Sequence, residues 1–179
     1  MKKIIISSIG IAVLIASIII VLNSEPHGRI HTSYVPLTVE QLANSSDVIV
    51  IGRVEGIDST TQHKTDKVSY PITHFIVDIE RVIDSNYNSS KIKVSVIGNE
   101  KYISNEYEEL LNETKSKGRV LLFLDHADES SNIYGDTYLY LGYQGKFSID
   151  DNNIAHNIEH GDIQLDELVS IIKKARNRL

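Results

Sequence analysis

Between residues 47 and 160, apolar and polar side chains alternate with a period of two, and one helical stretch interrupts them. A period of two places successive side chains on opposite faces of a strand, which commits such a chain to a mainly β fold. The clearest run is 91–97, where Ile92, Val94 and Val96 point one way and Lys91, Lys93 and Ser95 the other. In 47–57, Val48, Val50 and Val54 share a face with Gly52 and Gly56. Two glycines in line predict bending or close packing, as in a tightly coiled sheet. In 72–83, Phe75, Val77 and Ile79 oppose His74, Asp78 and Glu80, and the polar residues 58–69 between these runs predict a loop.

A short helix is expected from Thr38, where Gln41 completes a capping box, and it ends by 44–46. A second spans 104–118, with Tyr107, Leu110 and Leu111 on one stripe, Ser104 as cap and Gly118 as terminator. Residues 119–125, RVLLFLD, are apolar on both faces and predict the most buried strand. Residues 137–150 predict a strand with bulges at Gly142 and Gly145, and a turn at 151–153 leads into a further strand, 154–160. The last expected element is an amphipathic helix from about Asp162, with Leu165, Leu168, Val169, Ile172 and Leu179 on its stripe. Its basic end, Lys173, Lys174, Arg176 and Arg178, suits the helix dipole.

Three strands, a helix and two strands make the connectivity of a five-stranded OB-like barrel. The expected fold is therefore mainly β, an OB-like barrel with flanking helices and a C-terminal amphipathic helix, preceded by one transmembrane helix.

That transmembrane helix is read from residues 4–22, 19 uncharged positions interrupted only by three serines and one glycine. At 1.5 Å per residue a helix of this length covers about 28 Å, close to a hydrocarbon core. The run is longer than the apolar part of a cleaved signal peptide, so it is expected to stay as a signal anchor. Lys2 and Lys3 precede it, which keeps a stub, 1–3, in the cytoplasm and sends the rest outside. Residues 23–37, with Pro26, Gly28 and Pro36, are expected to form a tether to an extracytoplasmic domain, 38–179. The expected location is a cell membrane crossed once.

Without Lys2 and Lys3 the chain carries 16 basic against 24 acidic side chains. Such a domain repels nucleic acid. The absence of cysteine removes disulfides, thiolate metal sites and thiol nucleophiles. Three sequons, at Asn44, Asn88 and Asn112, are candidate N-glycosylation sites of an extracytoplasmic domain.

The runs SSDVIVIGRV (45–54), FIVDIERV (75–82), IKVSV (92–96) and GRVLLFL (118–124) resemble the netrin-like domain of tissue inhibitors of metalloproteinases. With GYQGKF (142–147) they are similar also to a set of membrane-anchored prokaryotic proteins. The resemblance covers about residues 38–178 and implies an OB-type fold. The inhibitors chelate zinc through an N-terminal cysteine, which this chain lacks, so their mechanism does not carry over.

The run His156-Asn-Ile-Glu159-His160 matches the H-x-x-E-H pattern of some zinc hydrolases, which needs both histidines on one helical face. In a strand they would lie about 13 Å apart, too far for one zinc. His126 and Asp128, in an acidic loop, and His156 and His160 are the candidate metal-contacting residues. Tyr138, Tyr140 and Tyr143 are the candidate partner-binding residues, since exposed tyrosines anchor proteins or stack on sugars. No P-loop, dinucleotide fingerprint or G-x-S-x-G elbow occurs. The expected function is a membrane-anchored binding module for a cell-surface protein, without catalysis or cofactor. The alternatives are a metal-dependent hydrolase and a glycan- or cation-binding module.

Overall fold

A computed structural model of the chain describes residues 36–64, 69–127 and 137–177. Helix α1 (Val39–Ser45) opens with the expected capping box: Gln41 N–H donates to Thr38 Oγ1, and Thr38 N–H to Gln41 Oε1 at 2.8 Å. Strands β1 (Val48–Lys64), β2 (Ser69–Asp84) and β3 (Lys91–Ile97) form an antiparallel meander. Helix α2 (Asn105–Ser116) separates them from β4 (Arg119–His126), which pairs with β1 from Val48–Leu124 to Arg53–Arg119. Strands β5 (Tyr138–Tyr140) and β6 (Lys146–Ile149) flank a 3-10 turn at Gly142–Gly145 and lie end to end against β4. Strands β7 (Ile154–Asn157) and β8 (Gly161–Gln164) extend the sheet, and α3 (Leu165–Arg176) closes the fold.

The fold is mainly β: one eight-stranded sheet with three helices. The β1–β4 pairing, together with β1–β2, β2–β3, β3–β5 and β5–β4, curls it into a partly closed ring. Among the described residues no helix is long and apolar enough to cross a membrane; the span expected at 4–22 lies outside them.

β1 and β4 separate two cores because their alternate residues face opposite ways. Ile49, Ile51, Leu121 and Phe123 pack with α1 and α3, while Val48, Val50, Val120, Leu122 and Leu124 fill the ring with Phe75, Val94 and Leu110. This double burial explains why 120–124 read as apolar on both faces; all five residues are fully buried.

Several expectations need correction. Residues 58–64 are strand, not loop, because β1 and β2 run on as a hairpin arm whose exposed β1 half has no core to impose alternation. His74 and Ser95, expected outward, are buried, and hydrogen bonds rather than apolar contacts hold them there. Gly52 is a true close approach: a Cβ there would lie 2.3 Å from Asp78 O. Gly56 faces open space. The left-handed end of α2 falls on Lys117 (φ 53), one residue before the expected Gly118. The strand expected at 137–150 is split by the 3-10 turn, and the one expected at 154–160 stops at Asn157. The final helix begins at Leu165, not Asp162, because 161–164 pair as β8.

Candidate functional site

Helix α2 presents Tyr107 and Leu110 to the ring, which leaves Glu109 and Glu113, one turn apart, on its flank facing β6. Glu113 Oε1 lies 2.7 Å from Lys146 Nζ, with the two side chains 11% and 10% exposed. Lys146 Nζ also donates to Ser148 Oγ at 3.0 Å, and that hydroxyl donates back to Glu113 Oε1 at 2.5 Å. Each of the three groups thus has the other two as partners, the kind of support that a buried ion pair needs. Gly118 makes room for the carboxylate, since a Cβ there would sit 2.6 Å from Glu113 Oε2.

Above this triad Glu109 accepts the Tyr140 hydroxyl proton at 3.0 Å. Burial pushes the Glu109 carboxyl above its ordinary value, and the Lys146 charge opposes that rise. Burial, then the Glu109 charge, pushes the Tyr140 phenol well up.

On the other wall Asn157 fixes the turn between β7 and β8. Its amide donates to Lys146 O at 2.7 Å, and its Oδ1 accepts from the backbone N–H of Glu159 and His160. The turn therefore carries Ile158 outward, 82% exposed. His156, on β7, lies with Nδ1 2.7 Å from Asp162 Oδ1 and Nε2 3.5 Å from Asp150 Oδ2. The hydrogen bond to Asp162, before that to Asp150, raises its imidazole.

Two cavities adjoin along α2. One, about 330 Å³, is walled by Glu109, Lys146, Ser148, His156, Asn157, Ile158 and Asp162. The other, about 480 Å³, is walled by Asn105, Glu108, Glu109, Asn112, Ile158 and Glu159. Glu109 and Ile158 belong to both. The result is a cleft rich in carboxylates with one apolar side chain at its lip, in which Lys146 is already committed to Glu113. Such a surface favours a ligand that is cationic and partly apolar.

The residues singled out from the sequence scatter. Tyr140 is 6% exposed and belongs to the ring core, with its hydroxyl turned to the cleft. Tyr138 is half-buried, edge-on to the rings of Tyr87 (5.8 Å) and His126 (5.1 Å). Tyr143 lies in the 3-10 turn. Asp128 lies outside the described residues. His160 stacks on Phe147, ring centroids 5.5 Å apart, and burial lowers its imidazole. Residues 154–157 are strand and 158–160 turn, so the helix that the H-x-x-E-H chemistry needs does not form there. His156 turns to its two aspartates and His160 to Phe147. Among the described residues no group of three or more His, Asp or Glu side chains is placed to hold a metal ion. Asn44, Asn88 and Asn112 are all exposed, on α1, on the loop after β2 and on α2. Ser46, the hydroxyl residue of the first sequon, is buried and donates to Leu42 O.

Sequence reasoning missed Glu113, Lys146 and Ser148. Their signals were present: Glu109 and Glu113 have helical i, i+4 spacing, and Lys146 and Ser148 have i, i+2 spacing on a strand. Only the packing of α2 on β6 makes these two pairs meet. No protein-family model matches the chain, and no curated protein matches it.

Proposed function

We propose that the chain is a membrane-anchored extracytoplasmic binding module, an OB-type barrel held at the surface by residues 4–22, whose partner is a cell-surface protein. The five-strand circuit β1–β2–β3–β5–β4–β1, with α2 between β3 and β4, supports the OB-type reading. The length and charge flanks of the 4–22 run support the anchor.

The observation that carries the binding reading is the cleft along α2. It joins two cavities, and Ile158 stands 82% exposed at their shared edge. A large aliphatic side chain held in water by a hydrogen-bonded turn is the kind of anchor that protein interfaces bury. Glu108, Glu109, Glu159 and Asp162 around it call for a partner surface bearing lysine or arginine beside apolar residues.

The test places a photo-crosslinking residue at position 158, or at Ile57, exposed on β1 and outside the lining of the cleft, in the full chain in its native membrane. The expected result is one protein captured from position 158 and not from 57. Its capture should fall in the Glu108→Gln/Glu159→Gln variant and at high salt. Equal capture from both positions, or capture indifferent to charge and salt, would overturn the reading.

A further inference from the structure

The wall of the cleft that α2 forms has a counterpart elsewhere on the molecule. Asn105, Glu108, Glu109 and Asn112 line the larger cavity. They stand at i, i+3, i+4 and i+7, which puts them on one face of the helix. Lys115 carries that face one turn further. On α3, Ser170, Lys173, Lys174 and the C-cap Asn177 repeat the spacing with the opposite charge, and Glu167 stands one turn before Ser170. Glu109 is half-buried and the other nine residues are exposed. Among the described residues Glu108, Lys115, Glu167, Lys173 and Lys174 take part in no ion pair.

Laid antiparallel, the two faces match over about three turns. The register that sets Glu108 against Lys174 also sets Glu109 against Lys173, Asn112 against Ser170, Lys115 against Glu167 and Asn105 against Asn177. Acid thus meets base in three pairs, neutral polar groups meet in the other two, and like charges meet in none. A parallel alignment would match the acids to the lysines but leave Lys115 and Glu167 without a counterpart. The two faces do not meet within one chain: α2 packs on the ring core, α3 packs on the core across β1 and β4, and both strips are exposed.

We propose that the partner taken by the cleft is a second copy of this chain, docked through the Lys173–Lys174 face of its α3. This rests on the binding reading of the cleft and supplies its partner. Ile171, half-buried and one turn from Lys174, gives the apolar side chain that belongs beside Ile158. The cleft and the basic face are different surfaces, so a docked pair keeps one of each free and copies add head to tail in a row. Exposed ion pairs are individually weak, and the row forms where a shared membrane concentrates the copies. Asn112 must be bare, since a glycan there would hold the two helices apart.

The absence of cysteine allows a direct test with the full chain in its native membrane. One tagged chain carries Asn112→Cys and a second, differently tagged, carries Ser170→Cys. The thiol cross-linker spans about 8–10 Å, the separation of packed helix axes. The expected product joins 112 to 170, in clear excess over 112–112 and 170–170. Glu108→Lys in the first chain should cut it about fivefold, and Lys174→Glu in the second should restore it. Restoration by a change in the other copy shows that the loss was not misfolding. Equal amounts of the three products, or a loss that the second change does not restore, would overturn the proposal. So would the absence of any product. If position 158 then still captures a different protein, the binding reading stands without this partner; if it captures nothing, both fall.

Discussion

Glu113 and Lys146 meet at 2.7 Å with about nine-tenths of each side chain out of water, one on a helix and the other on the strand beneath it. The pair ties α2 to β6 at the floor of the cleft, and Ser148 fills the remaining hydrogen-bonding capacity on Glu113 Oε1. Removing one partner leaves a buried charge, which costs more than the pair contributes. Lys146→Met and Glu113→Gln should each lose about 3 kcal/mol in urea unfolding. The double variant should lose clearly less than the sum of the two. Additive losses would show that the two side chains act independently.

Gly52 and Gly56 looked alike in the sequence but differ in surroundings. An alanine Cβ at 52 would meet the backbone oxygen of Asp78 at 2.3 Å, and backbone cannot swing aside. Gly52→Ala should cost about 2–3 kcal/mol or more through overpacking. At 56 nothing lies within 4 Å, and Gly56→Ala should be neutral or stabilising by up to about 1 kcal/mol. Paired unfolding curves check both, and a large loss at 56 would contradict the register of the β1–β2 arm.

The Tyr140 hydroxyl donates to Glu109 and so joins the ring core to the cleft. Tyr140→Phe keeps the ring and strands a carboxyl already desolvated. A loss of about 1–2 kcal/mol at neutral pH is expected. Acidification should recover part of it, because Glu109 then carries its own proton. The check is thermal unfolding of both proteins at pH 7 and pH 5; an unchanged difference would mean that Glu109 is not the group affected.

His156 gives a pH dependence whose sign is set by its two aspartates. Its folded imidazole lies above the ordinary value of about 6.5, through Asp162 first and then Asp150. The added stability is therefore complete below about pH 6.5 and lost as pH rises through the folded value. His156→Asn should narrow the gap to wild type between pH 6 and pH 9, as read by melting temperature. Because the pair is largely exposed, added salt should shrink the effect. A gap that widens with pH would reverse the assignment.

Short-range information was legible where a local rule had one solution. Thr38 and Gln41 announce their capping box three residues apart, and 91–97 alternate because one face of β3 fills the ring. It failed where burial was polar or absent. Residues 58–64 extend β1 without apolar alternation, since their side chains are mostly exposed and meet polar partners such as Lys93 and Thr73 rather than a core. His74 and Ser95 look like solvent-facing residues until each becomes the other's hydrogen-bond partner.

By itself, then, the chain's order of residues determined a mainly β fold, the two capped helices α1 and α2, the doubly buried strand β4 and an acidic surface without thiol chemistry. These follow from periodicity, capping and charge, which act within a few residues. The tertiary structure alone decided that Glu113 meets Lys146 and Ser148, that Tyr140 turns inward to Glu109, and that His74, Ser95 and Thr137 join in one buried file of hydrogen bonds. Those partners lie 21 to 42 residues apart in the chain. Their meeting depends on strand register and helix docking, and no local pattern encodes it.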